Sequence, residues 1–204
     1  MDRASRFVIA CAFAASEDQA APPVIAQTRR RTRGHRGIPW VSDGRKVYKR
    51  EVMRVYRDPQ RTGRRGRPSL GRTDGVGLTQ AVKHRQGDRL VGVEVRSVLG
   101  PVAQCPYANC EERLNGVLRD RLNCLTRKTH AFAKRVQTWD AAVWVSLFEH
   151  NWLRPHRALR QAADGLPDGR RYLQRTPAMA QGLSDHAWSW AEFLGYQLHQ
   201  HWRE

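Results

Sequence analysis

The sequence predicts an α/β fold, and three stretches carry that prediction. A short apolar strand over residues 38–41 runs into an amphipathic helix over 45–56. The valine alternation LVGVEVRSV lies in a strand over 89–98, and a long helical stretch over 107–135 sets Leu114, Leu118, Leu122 and Leu125 along one stripe. Strands of period two interleaved with helices of period 3.6 bury their apolar sides as a sheet with helices packed on it. The 204 residues suffice for one domain of ordinary size with a real core.

Residues 1–15 read in two ways. Arg3 and Arg6 ahead of an apolar run and small alanines resemble a secretory signal. A buried strand over 7–13, after a turn at 2–5, is the favoured alternative, because Asp2 is unwelcome in a signal and cleavage would leave an odd number of cysteines. Residues 17–33 predict a helix starting near Pro22-Pro23 and running into a basic cluster over 29–36. Strand 38–41 then delivers Ser42-Asp43-Gly44 at its C-terminal end, the edge on which open α/β folds build sites. Within the helix that follows, Val47, Val52, Val55 and Tyr56 are the apolar positions.

Residues 58–77, rich in Arg, Gly and Pro, predict a basic linker. Strands over 78–83 and 89–98, separated by Gly87-Asp88, form a hairpin with Val91, Val93 and Val95 on one side. Residues 136–153 are apolar almost all round and predict a helix buried on most faces, which Pro155 ends. Two further starts follow, at Thr176-Pro177 and at Ser184-Asp185. Tryptophans 139, 144, 152, 188 and 190 fall at helical intervals as packing residues.

Composition narrows the partners. There are 36 Lys and Arg against 19 Asp and Glu, a net charge of +17, which points to a polyanion such as a nucleic acid. Cys11, Cys105, Cys110 and Cys124 are irregularly spaced and make no zinc pattern, so they read as reduced structural thiols. No run of 18 apolar residues exists, so a membrane partner is not expected.

Site chemistry centres on two acids. Glu112, Asn115 and Arg119 share one helix face at i, i+3 and i+7, and Arg113, Arg127, Lys128, Lys134 and Arg135 add positive charge along the same stretch. Asp43 and Glu112 are a candidate pair for holding magnesium or manganese beside a phosphodiester, since hard divalent ions take oxygen ligands. The plainer readings stand beside this one: Asp43 caps a turn, and Glu112 is a solvated helix acid. Arg64, Arg65 and Arg67, in GRRGRP, contain an R-G-R-P core that can enter an A·T-rich minor groove, or form a flexible cationic linker.

WVSDG, YANCEERLNGVLRDRL, LTRKTHAFAKR, HNWLRPHRALR and RTPAMAQGLSDHAWSWAEFL, in this order, resemble a bacterial insertion-sequence transposase of the DDE type, close to the insertion sequence 1 group. The resemblance covers residues 2–194 and implies an RNase H-like (retroviral integrase-type) catalytic core, a mixed sheet with flanking helices. By it the core spans 1–160, with the 58–77 linker inside, and 161–204 form a helical C-terminal tail. It also implies that Asp43 is the second metal-binding acid, Glu112 the third, and Arg119 a DNA-associated cation. Such enzymes use a two-metal site with Mg2+ or Mn2+ in DNA transposition, a form of recombination, binding transposon ends, cutting a strand and joining it to target DNA. The implied partners are DNA, a second copy of the chain, or an intact transposase in mixed assembly; the implied location is cytoplasmic and nucleoid-associated.

Departures follow from the same resemblance. The family's first acid and first strand match nothing here, so the expectation is an N-terminally truncated enzyme with an unpaired sheet edge. Asp2 matches a turn residue and not that acid. Glu111 stands where the family has an apolar residue. The alternative expectation is a catalytically dead, basic DNA-binding remnant of such an element.

Overall fold

The computed structural model describes residues 1–61, 63, 66–71, 75–105, 109–126, 130, 134–163, 166 and 169–196. It is a mixed α/β chain that divides into two compact units, residues 9–112 and residues 1–8 with 113–204.

The unit of residues 9–112 is built on a three-stranded sheet. Strand β1 (Pro39–Asp43) lies parallel to β4 (Gly77–Gln86), which pairs antiparallel with β5 (Arg89–Leu99), giving the order β1-β4-β5. Between them in sequence, β2 (Asp58–Gln60) and β3 (Ser69–Gly71) form a separate antiparallel hairpin inside the stretch expected to be linker. The expectation of a linker over 58–77 is thus corrected at Asp58–Gln60 and Ser69–Gly71, where three residue pairs make strand structure.

Helices α1 (Glu17–Arg31) and α2 (Lys46–Val55) cover one sheet face. Buried Ile25, Val52, Tyr56 and Val76 form the core, with Trp40, Tyr48, Val55 and Leu99 packed against it. Trp40 and Tyr56 meet edge to face with centroids 6.1 Å apart. The start of α1 meets the start of α2, where Glu17 binds Arg45 and Tyr48, and Arg29 near its end bonds the Val55 carbonyl, so the helices run parallel.

Helix α1 begins earlier than Pro22-Pro23. Ser16 is its extended N-cap residue, Glu17 and Asp18 occupy the first turn, and both prolines lie inside the helix. The prolines forfeit backbone bonds to the carbonyls of Asp18 and Gln19. Acids at the start and Arg29, Arg30 and Arg31 at the end suit the helix dipole, while complete burial of Ile25 ties the helix to the sheet.

Pairing also explains why Val91 and Val93 of β5 are not covered, while Val95 is half-buried. β1 pairs with β4 only as far as Ala81, whereas β4 and β5 continue together to Gln86 and Arg89. Beyond Ala81 the hairpin is a two-stranded ribbon, and Val91 is 57% and Val93 37% exposed. Helix α3 (Asn109–Arg121) leaves this unit at Glu112 and continues into the other.

In the second unit α3 buries Leu114 and Leu118, as the leucine stripe predicts, but it stops at Arg121. Leu122 is extended, a single 3-10 turn follows at Asn123–Leu125, and the Thr126 hydroxyl donates to the freed Arg119 carbonyl at 3.0 Å. The expected helix through 135 is therefore broken, and Lys134 and Arg135 lie outside it. Helix α4 (Val136–Phe148) passes into a π-turn at Glu149–Leu153. It buries Val143 and Leu147, while Val136 and Val145 are exposed, so it is apolar all round without being buried all round.

Residues 7–13 form no strand. The buried Asn151 amide takes the place of a strand partner: Val8 N–H donates to its Oδ1 at 2.8 Å, and its Nδ2 donates to the Val8 carbonyl at 3.1 Å. The turn at 2–5 does form, with Asp2 Oδ2 accepting from Ser5 N at 2.8 Å. His150 Nε2 donates to the Arg6 carbonyl at 3.0 Å; burial lowers the pKa of this ring, against that bond.

Beyond 160 lie the short pair β6 (Gln161–Ala162) and β7 (Tyr172–Leu173), helix α5 (Pro177–Ala180) and helix α6 (Trp190–Gly195). Thr176 caps α5, accepting from Met179 N–H at 3.2 Å. The other cap is displaced: α6 starts at Ser189, whose hydroxyl accepts from Glu192 N–H at 3.2 Å while Glu192 accepts from Ser189 N–H at 2.6 Å. This S-x-x-E box outranks Ser184, which binds Trp188 Nε1 at 3.1 Å instead. Phe148, Trp152, Trp188 and Phe193 pack together in stacked, tilted and edge-to-face contacts, so Trp152 and Trp188 do serve packing.

Candidate functional site

Asp43 ends β1, and its local chemistry is that of a turn cap. Asp43 Oδ1 accepts from Arg45 N–H at 3.1 Å, and Ser42 Oγ donates to the Asp43 carbonyl at 3.0 Å. Gly44 must be glycine-sized, because a Cβ there would lie 2.9 Å from Val82 Cγ2. The Asp43 side chain is still 52% exposed, so it can accept more than this turn.

The register fixes which face it is on. Asp43 pairs with Ala81, and Lys83 lies two residues further along β4, so Asp43, Ala81 and Lys83 project from one face. Ser42 and Gln80 project from the other, where Gln80 Nε2 donates to the Arg45 carbonyl at 2.9 Å under the start of α2. Glu112, the last residue of this unit, is held by the Lys83 ammonium. The strand step from Ala81 to Lys83 is about 6.6 Å, so a lysine's reach separates the two acids' anchor points.

A second set of groups surrounds the start of α2. Arg45 Nε lies 2.7 Å from Glu17 Oε2 and 3.8 Å from Asp43 Oδ2, and Tyr48 OH donates to Glu17 Oε1 at 2.6 Å. Burial raises the Tyr48 pKa far above that of a free phenol, reinforced by the Glu17 hydrogen bond and by the charges of Glu17, Asp43 and Glu111. The Glu17–Arg45–Tyr48 network is invisible to motif reading; the adjacent E-E at 111–112 is the one sequence signal that more than one acid stands here.

The other expected site residues are distributed. Arg113, Asn115 and Arg119 are exposed on α3, on the part counted with the second unit. Lys134 is exposed ahead of α4. Arg67 is exposed in the β2–β3 loop, and Arg64, Arg65, Arg127 and Lys128 lie outside the described residues.

As oxygen donors, Asp43 and Glu112 suit a hard divalent ion, each keeping an oxygen that no described hydrogen bond uses. Among the described residues no group of three or more His, Cys, Asp or Glu is placed to hold a metal, and no helix is long and apolar enough to cross a membrane. No protein-family model, curated protein or solved structure matches the chain.

Proposed function

We propose that the chain acts on DNA as a DDE-type transposase of the insertion-sequence class, with an RNase H-like core and a nucleoid location. One observation carries the reading: Asp43 ends β1 opposite Ala81 of β4, and Lys83, two residues further along β4 and so on the same face by alternation, binds Glu112. An acid at the C-terminal edge of β1, with a second acid and a cation linked to it through β4, supplies part of the set that metal-assisted phosphodiester chemistry uses.

In this reading Asp43 and Glu112 would hold Mg2+ or Mn2+. The bound ion supplies Lewis-acid stabilisation of the attacking and leaving oxygens. By the resemblance Arg113, Asn115 and Arg119 would bind DNA, and Lys83 neutralises Glu112 until a cation displaces it. Water oxygen attacks phosphorus, the P–O3′ bond breaks and the 3′ oxygen leaves as a hydroxyl. That hydroxyl then attacks a target phosphodiester, whose own 3′ oxygen leaves. The family's first acid has no match in this chain, so the third carboxylate of such a site is unassigned.

A second reading is favoured by a specific contact. Lys83 on Glu112, and the Arg45 N–H on Asp43, give each acid one partner from the chain itself, as in a basic DNA-binding protein that does not cut. Cleavage and joining on a supercoiled plasmid with Mg2+ or Mn2+ separates the two. Activity abolished by Glu112→Gln supports the transposase reading; DNA binding without cleavage in either protein supports the second.

A further inference from the structure

Away from Asp43, the C-terminal ends of α1 and α2 enclose an open pocket of about 600 Å³ lined by Ala26, Arg29, Arg30, Arg33, Arg54 and Val55. Two of its arginines are anchored. Arg29 bonds the Val55 carbonyl and lies 5.7 Å from the Tyr56 ring centroid, and Arg54 Nε lies 2.6 Å from Oε2 of buried Glu51. Arg30 and Arg33 are exposed and have no carboxylate partner among the described residues. Arg33 also adopts a left-handed backbone, φ 51°, a conformation a non-glycine residue holds at a cost in strain. Glu51, the acid bound to lining residue Arg54, is already shared between Arg50 and Arg54. The α1 C-terminal dipole favours the arginines themselves, so the anion must be drawn by the guanidinium forks.

We propose that this pocket grips backbone phosphates of DNA, as a second anchor at the far end of α2 from Asp43. α2 is ten residues long, about 15 Å, so the anchor is spatially separate from the acids. Guanidinium forks match the paired oxygens of a phosphodiester, and an open cradle admits a continuous chain. The assignment rests on the DNA reading above, though not on catalysis.

The test uses the full chain, with a labelled duplex of about 30 bp titrated across a salt series, since each phosphate contact contributes about 0.9 to the slope of log K against log salt. Arg30→Gln/Arg33→Gln should weaken binding about tenfold at low salt and lower the slope by about 1.8, the value for two lost phosphates. Arg30→Lys/Arg33→Lys should keep the slope and lose part of the affinity, a result that also shows a folded protein. Arg157→Gln/Arg171→Gln, removing equal charge elsewhere, should leave the slope unchanged. An unchanged slope in the pocket variant, or an equal loss in both Gln pairs, overturns the pocket and leaves the DNA reading standing. Absence of duplex binding by the unaltered chain overturns both. Inorganic pyrophosphate raising the Tm of the unaltered chain but not of Arg30→Gln/Arg33→Gln, with duplex binding equal in the two, overturns the DNA source in favour of a free phosphate.

Discussion

Lys83 presents its ammonium to the Glu112 carboxylate on the sheet face that also carries Asp43, and both partners of this contact are about half exposed. An ion pair of that kind contributes about 0.2–1 kcal/mol, so Lys83→Met should leave the free energy of unfolding in urea within ~1 kcal/mol. If Glu112 is a metal ligand, the same substitution removes a competitor. Mn2+ binding followed by electron paramagnetic resonance should then strengthen in Lys83→Met and weaken in Asp43→Asn and in Glu112→Gln. Equal Mn2+ binding in all three would remove the metal reading.

Asn151→Ala should destabilise the protein by about 2–3 kcal/mol, because it strips both hydrogen bonds from the Val8 peptide groups and leaves them unpaired. Asn151→Asp keeps the acceptor, loses the donor and adds a charge at a buried position, so it should be at least as costly. Urea unfolding measures both. A loss below ~0.5 kcal/mol would mean that water replaces the amide, and that this contact does not hold the N-terminal residues.

His186 bridges Asp185, at 2.6 Å from Nδ1, and Glu192, at 2.7 Å from Nε2. Its pKa is raised above 6.5 by hydrogen bonds to Asp185 and Glu192, so its contribution to stability is complete below 6.5 and fades as pH rises through the raised value. Glu192 is lowered from 4.5 to about 2 by the Ser189 N–H and then by His186, so its contribution is present above 4.5 and fades as pH falls towards 2. Order at the start of α6 should therefore be greatest between these limits. Trp188 and Trp190 fluorescence against pH, compared with His186→Gln, checks this; a flat profile in the unaltered chain would contradict it.

Tyr48 should remain protonated when exposed tyrosines ionise. Because its pKa is raised from 10.0 by burial, then by Glu17 and the charges of Asp43 and Glu111, the unfolded state loses its proton first, and stability falls as pH rises past 10.0. Absorbance titration of the phenolate, with Tyr48→Phe as reference, should show one tyrosine that ionises only on alkaline unfolding. Its ionisation together with the exposed set would count against the Glu17 hydrogen bond.

Much of the 9–112 unit was legible because its determinants are local. Strand 39–43, helix 46–55 and the 77–99 hairpin announce themselves by alternation, spacing and a glycine turn. Thr176-Pro177 likewise signals a helix start through a hydroxyl cap and a proline that needs no partner for its nitrogen. Where partners lie far apart in sequence, legibility failed. An apolar run over 7–13 looks like any buried strand, and only Asn151, 143 residues beyond Val8, shows what occupies the neighbouring position. In α1 the burial of Ile25 overrides two prolines whose local preference is to start a helix. Asp43 and Glu112 were readable one at a time; the link between them through β4 was not, since it depends on the β1–β4 register that sets Asp43 beside Ala81 and on the Lys83–Glu112 ion pair.

The π-turn at Glu149–Leu153 sets the rotational phase of everything after α4. One extra residue per turn swings later side chains by about 100° relative to a regular helix. Asn151 faces Val8 in that phase, so deleting codon 149 or 150, ahead of Asn151, would turn the amide by about 100° away from Val8 while leaving both Asn151 and Val8 in the chain. The N-terminal tether is thus written in chain length as much as in chemistry, and a frame-preserving deletion here would do more harm than most substitutions.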